Sequence, residues 1–193
     1  MIKLITRHWH YIFVVFLLFS CNMKTFVLLD KITDVPKNNY VYKNKIKFNT
    51  ALLNVVDTAV VYEEFAIQYN VLTRLDNHIE NNFYRVFKFY PNGLFNRFTI
   101  SKNKNLDIIL FDPLYTGYRG VYYSKNNKIR YDFFAGIDQR QHTGKITGTL
   151  IFSGDTLYVK RDDRKGLNAK TYPIEIYIKR KLPPEYFKDK ANW

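Results

Sequence analysis

Few side chains in this sequence are suited to catalysis or metal binding. Beyond residue 20 the histidines are His78 and His142, which lie in separate polar stretches. A zinc or other transition-metal site would need the two to converge from different loops. The sequence contains no element that predicts such convergence, so no metal is expected.

The carboxylates have simpler uses than acid–base catalysis. Asp155 follows Gly154 in a predicted hairpin turn, where an aspartate normally accepts hydrogen bonds from the backbone. The Asp162–Asp163 pair lies between Arg161 and Arg164, which predicts a local ion-pair cluster on a loop. A glycine-rich phosphate loop, a nucleophile elbow and a CxxC motif are all missing from the sequence. We therefore expect a protein that is not an enzyme and that carries no cofactor.

Cys21 is the one remaining residue with reactive chemistry, and it is the only cysteine. It ends a segment that begins with a basic head (Lys3, Arg7) and continues with an uncharged run, 11–19. This pattern is typical of a secretory signal peptide and is too short for a membrane-spanning helix. The sequence Leu-Phe-Ser-Cys at 18–21 resembles the bacterial lipobox, which implies cleavage before Cys21 and a lipid on its sulfur. The alternative is a cysteine that merely ends a hydrophobic segment.

The chain is strongly basic, with 30 Lys and Arg against 17 Asp and Glu and a formal charge of +13. Such a charge suits nucleic acid, an anionic membrane or an acidic polymer, or simply a solvated basic surface. An export signal argues against nucleic acid. A single cysteine also excludes an intramolecular disulfide and a thiolate zinc site.

The 16 Tyr and 16 Phe against 8 Gly favour strands. Segment 41–48 is a possible first strand. Segment 59–69 is expected to form the second strand. Strands are then predicted over 83–90, 94–100, 118–124, 128–134, 143–152, 156–161 and 174–178, with short turns at 91–93, 125–127 and 153–155. Ile129, Tyr131 and Phe133 alternate with polar residues, as expected for one buried and one wet face.

Consecutive hairpins predict an antiparallel meander, which curls into a barrel of about eight strands to remove its edges. Such a barrel is filled by side chains or holds one small ligand. Alternate aromatic residues must face inward, and the candidates for a ligand-binding interior are Phe87, Phe89, Tyr123 and Tyr131. The alternatives are a solid aromatic core or cross-strand pairs on the outside.

Three stretches resemble small lipoproteins of the Bacteroidota that carry a lipocalin-like β domain: FYPNG at 89–93, GYRGVYY at 117–123, and GKITGT at 144–149 with SGDTL at 153–157. The resemblance covers about residues 83–180 and implies fold rather than activity. In such proteins, acidic residues after the lipid-bearing cysteine direct export to the outer cell surface. The sequence Asn-Met-Lys-Thr at 22–25 has none, which favours a lipid-anchored position on the outer membrane facing the periplasm.

We therefore expect a signal peptide (1–20), a tether (21–39), a mainly β domain with a lipocalin-like barrel (40–182) and a C-terminal tail (183–193). Two functions remain open. One is a binding module for a small hydrophobic or lipid-like ligand, with a basic rim that attracts an anionic head group. The other is an envelope interaction or structural protein with a filled barrel and a basic docking surface. Expected partners are a membrane, through a lipid such as palmitate on Cys21, and an envelope component, but no nucleic acid.

Overall fold

A computed structural model describes residues 24–68, 72–74, 82–103, 106–136, 143–162 and 173–193. Cys21, the signal segment, His78 and His142 lie outside the described residues. No helix in the described part of the chain is long and apolar enough to cross a membrane.

Eight antiparallel strands form a closed barrel, which confirms the predicted fold class. They are β3 (Val61–Gln68), β5 (Phe83–Phe89), β6 (Leu94–Ser101), β7 (Tyr118–Lys125), β8 (Lys128–Gly136), β9 (Thr143–Ser153), β10 (Thr156–Arg161) and β11 (Ile174–Arg180). Each pairs with the next along the chain, and β11 pairs with β3 to close the ring. Closure removes both sheet edges, as expected for a meander that does not aggregate.

Three short strands and four 3-10 helices make up the rest of the secondary structure in the described residues. β1 (Thr25–Val27) and β2 (Asp34–Pro36) form a separate hairpin, and β4 (Leu72–Arg74) adds to β3. The 3-10 helices are η1 (Asn39–Lys47), η2 (Thr50–Asn54), η3 (Ile108–Phe111) and η4 (Pro184–Phe187).

The two ends of the barrel differ. Tight hairpins join β5 to β6, β7 to β8 and β9 to β10, and all three lie at one end, which we call the closed end. The turn at Asn126 and Asn127 has positive φ at both residues, as a two-residue hairpin requires. The other termini of these strands, among them Ser101, Gly136 and Arg161, lie at the opposite end, which we call the mouth.

The predicted strand over 41–48 is wrong, because this segment is helix η1. The closed barrel offers no free edge with which it could pair. Instead Asn38 caps the helix by accepting the Tyr40 N–H, and Tyr42 is buried against Phe134 and Trp193 on the outer face of the barrel.

The segments expected to be a tether and a tail are folded where the structure describes them. The β1–β2 hairpin is part of the first, and its Val35 is fully buried. In the second, Trp193 is only 2% exposed, and the Ala191 carbonyl accepts a hydrogen bond from the Asn92 side chain.

Candidate functional site: the mouth of the barrel

The inward-facing side chains separate into two groups along the barrel axis. Those nearer the closed end are aromatic and aliphatic, and we call them the closed half. Those nearer the mouth include charged residues from five strands. The same strands contribute to both groups, because alternate residues of each strand face the interior.

Phe89 lies at the centre of the closed half. Its ring centroid is 5.7 Å from those of Tyr62 and Phe95, 5.4 Å from Tyr122 and 5.6 Å from Phe152. Each of these distances falls in the range in which aromatic pairs attract each other. The closed half is therefore a packed core.

The closed end is sealed by the chain that precedes β3. Phe48 packs edge-on against Tyr122 at 5.3 Å, and Val56 and Val60 are buried in the same cluster. Gly93, with a φ of 82°, completes the neighbouring turn, and a Cβ there would lie 2.7 Å from the Phe48 ring. No L side chain fits at that position without strain.

Glu175 on β11 is the central charge of the mouth. Its side chain is almost fully buried, and its carboxylate lies 3.7 Å from Arg97, 3.5 Å from Arg85 and 3.3 Å from Arg161. The Tyr177 hydroxyl donates to it at 2.7 Å. Burial alone would raise the pKa of this carboxyl, but the three guanidinium groups and the Tyr177 hydroxyl outweigh it and hold the pKa below its usual value.

A second carboxylate pairs with Arg85 alone. Glu64 Oε1 accepts from the Arg85 guanidinium at 3.0 Å, and Oε2 accepts from the Arg85 backbone N–H at 2.9 Å. Burial is the main influence on Glu64 and raises its pKa, although Arg85 opposes the shift. The five charged groups of the mouth thus carry one net positive charge when all are ionised.

A cavity of about 320 Å³ opens beside these charges. Its lining combines polar and apolar side chains: Glu64, Ile67, Phe83, Arg85, Arg97, Thr99 and Tyr118. Arg97 is 11% exposed, and its guanidinium lies over the Phe133 ring at 4.3 Å. Within the described part of the chain, Arg97 Nε finds no hydrogen-bond acceptor. Two arginines, Arg85 and Arg97, therefore line the cavity beside an apolar wall.

A larger groove, of about 600 Å³, lies on the outer face of β8, β9 and β10. Both of its arginines are already engaged, since Arg130 donates to Asp162 and to Thr149 Oγ1 and Arg161 donates to Glu175. We therefore place the candidate site at the mouth.

The structure brings three of the four predicted interior residues together. Phe87, Phe89 and Tyr131 face inward, but they belong to the packed cluster, with Phe87 stacked on Phe89 at 5.8 Å. The prediction that Tyr123 faces the barrel interior is wrong. Tyr122 occupies the interior, so Tyr123 points outward and donates to Asp132 under η1.

The charged residues of the mouth were not among the predicted site residues. A signal for them exists in the period of two, since Phe83, Arg85, Phe87 and Phe89 share one face of β5. In the same way, Arg97 follows Phe95 by two residues on β6. An arginine in phase with core phenylalanines must enter the barrel.

Among the described residues, no group of three or more His, Cys, Asp and Glu is arranged to hold a metal ion. Comparison with family models, with curated proteins and with solved structures finds no match to this chain.

Proposed function

We propose that this protein is a lipid-anchored binding module of the cell envelope. Its barrel mouth would take a small amphiphile with an anionic head group. An eight-stranded antiparallel barrel fits a lipocalin-like binding fold, in which an interior of this width accommodates at most one small ligand.

The proposal rests on the buried Nε–H of Arg97, which has no hydrogen-bond acceptor among the described residues. A buried guanidinium N–H without an acceptor is costly, because its desolvation is not compensated by a hydrogen bond. A phosphate or carboxylate oxygen in the mouth cavity would supply that acceptor. Arg85, which lines the same cavity, would add a second cationic contact.

The volume of the cavity limits the ligand. At about 320 Å³ it lies at the lower end of the range for small-molecule pockets. The closed half is packed, so a long chain has no described space below the charges. We infer that the head group binds in the mouth, beside Ile67, Phe83 and Tyr118, while a hydrocarbon chain stays outside.

The anchor and the location rest on the sequence. The basic head, the apolar run and Cys21 support lipid attachment at that cysteine. The lack of acidic residues at 22–25 supports the periplasmic face of the outer membrane. A Cys21→Ser variant is expected to leave the membrane fraction, and unchanged membrane association would contradict the anchor.

The second candidate is an interaction protein with a filled barrel. The aromatic packing around Phe89 favours it, because that half of the interior is occupied by side chains. It would bind an anionic envelope polymer on its outer surface, and binding would weaken steeply with salt.

Titration with dodecyl phosphate distinguishes the two candidates. We expect saturable binding that Arg97→Met weakens by about tenfold or more, the effect of one charge-assisted hydrogen bond. Arg180→Met is the matched control, because Arg180 pairs with Glu63 on the outer face of the barrel. Dodecyltrimethylammonium, with the opposite charge, should not bind.

Equal affinity of the Arg97→Met and Arg180→Met variants for dodecyl phosphate would contradict binding at the mouth. Native mass spectrometry after exposure to an envelope lipid extract would then identify the natural ligand class. A bare protein mass in that experiment, together with no binding of dodecyl phosphate, would favour the filled-barrel alternative.

A further inference from the structure

Large apolar side chains are exposed beside the mouth. On the β1–β2 hairpin, Val27 is 54%, Leu29 70% and Ile32 82% exposed, and Leu114 in the β6–β7 connection is 59% exposed. Leu29, Val27 and Leu114 line one shared surface cavity of about 440 Å³. We call these four residues the hairpin patch. A contiguous exposed apolar surface of this kind marks a protein or membrane contact.

The hairpin patch is fixed to the mouth end of the barrel. The Asp30 backbone N–H donates to the Tyr115 carbonyl at 2.9 Å, and the Thr116 hydroxyl donates to the Asp30 carboxylate at 2.6 Å. Both partners belong to the connection that enters β7 at the mouth. The patch and the mouth therefore face the same surroundings.

Nearby carboxylates are occupied within their own turns. Asp30 accepts the Ile32 N–H at 2.9 Å, and Asp112 accepts the Leu114 N–H at 2.8 Å. These turns display Ile32 and Leu114 outward. Three lysines of the hairpin are exposed: Lys31 lies in the turn between Leu29 and Ile32, and Lys24 and Lys37 lie at the base. The hairpin thus combines exposed apolar and basic side chains, which complements an anionic lipid surface.

The chain outside the described residues leads to the same place. Residues 1–23 contain the apolar run 11–19 and Cys21, and they join the domain at Lys24, directly before β1. The segment that carries the proposed anchor is therefore attached at the base of the same hairpin.

We propose that the hairpin patch docks on an anionic phospholipid bilayer and turns the mouth toward the lipid. Val27, Leu29, Ile32 and Leu114 enter the interface, while the three lysines contact phosphate groups. An amphiphile could then pass between bilayer and mouth without crossing water. The docking rests on the proposed function for one point, that the protein is held at a membrane. It does not require the mouth to bind a ligand.

Depth-dependent fluorescence quenching tests this orientation. The full chain carrying Cys21→Ser receives one new cysteine, at position 114 or at position 46, and each is labelled with the same fluorophore. Ile46 is the matched control, because it is 84% exposed but lies on η1, two residues before Phe48 at the closed end. The vesicles contain phosphatidylglycerol, phosphatidylethanolamine and a lipid-borne quencher.

We expect quenching at position 114 to be several-fold stronger than at position 46 and to fall in vesicles of phosphatidylcholine alone. Position 114 lies near the point where residues 1–23 join the domain, so Leu29→Glu in the same chain is the control. It should reduce quenching at 114 if the patch, rather than residues 1–23, makes the contact. Equal quenching at both positions, or stronger quenching at 46, would overturn the proposal. The proposal would also be overturned if, without vesicles, the protein dimerised and the fluorophore at 114 became shielded from solvent. A second copy of the chain would then cover the patch. Binding of dodecyl phosphate is measured separately, so failure of the docking and failure of the ligand site remain distinguishable.

Discussion

The two halves of the barrel interior use the same strands for opposite purposes. In the closed half, Phe89 and its neighbours fill the space with rings and no charge. Two residues nearer the mouth than Phe87, Phe95 and Tyr177, the inward positions of β5, β6 and β11 are Arg85, Arg97 and Glu175. The side-chain chemistry changes while the alternation continues, so the closed half is filled and the mouth keeps a cavity lined by charged residues.

Small residues make the packed half possible. A Cβ at Gly120 would lie 2.2 Å from the Phe95 ring, and one at Gly148 would lie 2.6 Å from the Tyr131 ring. Each ring therefore lies across a glycine on a neighbouring strand. Such pairs are known to support glycine in sheets.

The largest effect is expected where the closed half is opened. Phe89→Ala removes the ring that five others contact, and we expect a loss of about 4 kcal/mol in the free energy of unfolding. Phe83→Ala is the control, because Phe83 faces the mouth and is more than half exposed. It should cost less than about 1 kcal/mol. Urea unfolding measures both, and equal losses would mean that the interior has no packed half.

Removing the central charge of the mouth should cost slightly less. Glu175→Gln leaves three arginines around a neutral group, and we expect a loss of about 3 kcal/mol, since breaking a buried ion pair strands its partner. Glu63→Gln, on the outer face, should lose about 0.5 kcal/mol. Similar values for the two variants would show that the mouth is solvated like a surface.

The same carboxylate should make the stability of the protein fall in acid. The pKa of Glu175 is lower in the folded protein than in the unfolded chain, where it is about 4.3. Its stabilising contribution is therefore complete above that value and is lost as the pH falls through the folded pKa. We expect the wild type to lose stability in acid more steeply than Glu175→Gln, as followed by urea unfolding at each pH. Parallel curves would contradict the ion cluster.

Within the described chain, Lys88 is a buried charge without the ion pairs found at the mouth. It lies on the outer face of β5, and its hydrogen-bond partners among the described residues include no carboxylate. Its ammonium donates to the carbonyls of Tyr186 at 2.8 Å and Phe111 at 3.3 Å. Burial lowers the pKa of Lys88 from 10.5 to about 8. The unfolded chain therefore binds more protons above pH 8, and stability should rise by about 2 kcal/mol between pH 8 and about 9.5.

The Lys88→Met variant should lack this alkaline rise. Tyrosines with raised pKa values, such as Tyr62 at about 12, act in the opposite direction as the unfolded chain loses its tyrosine protons around pH 10. The quantity to compare is therefore the difference in stability between the wild type and Lys88→Met. A difference that does not grow between pH 8 and 9.5 would contradict the burial of Lys88.

Turns and alternation made much of the fold predictable from the sequence. The Asn126–Asn127 hairpin follows from its residues, and the inward placement of Tyr131 and Phe133 follows from the period of two. Periodicity defines two faces but not which one is inside. In β11 the apolar Ile176 lies on the outer face, while Glu175 and Tyr177 enter the barrel.

Long-range packing explains what the sequence did not predict. Asp132 was expected on a wet face, yet it is 1% exposed because η1 covers it and Asn44 donates to its carboxylate. Tyr123 is buried outside the barrel by the same helix. The mouth could not be predicted as a site, because Glu175 meets Arg85 and Arg97 only when β11 closes the ring onto β3.

Methyl chemical shifts test the division of the interior most directly. In a titration of the purified mature protein with dodecyl phosphate, the Ile67 methyl groups, which line the mouth cavity, should shift and saturate. The methyl groups of Leu157 and Val159, in the closed half, should stay in place. Shifts at Leu157 and Val159 as large as those at Ile67 would show that the ligand enters the packed half and would contradict the account.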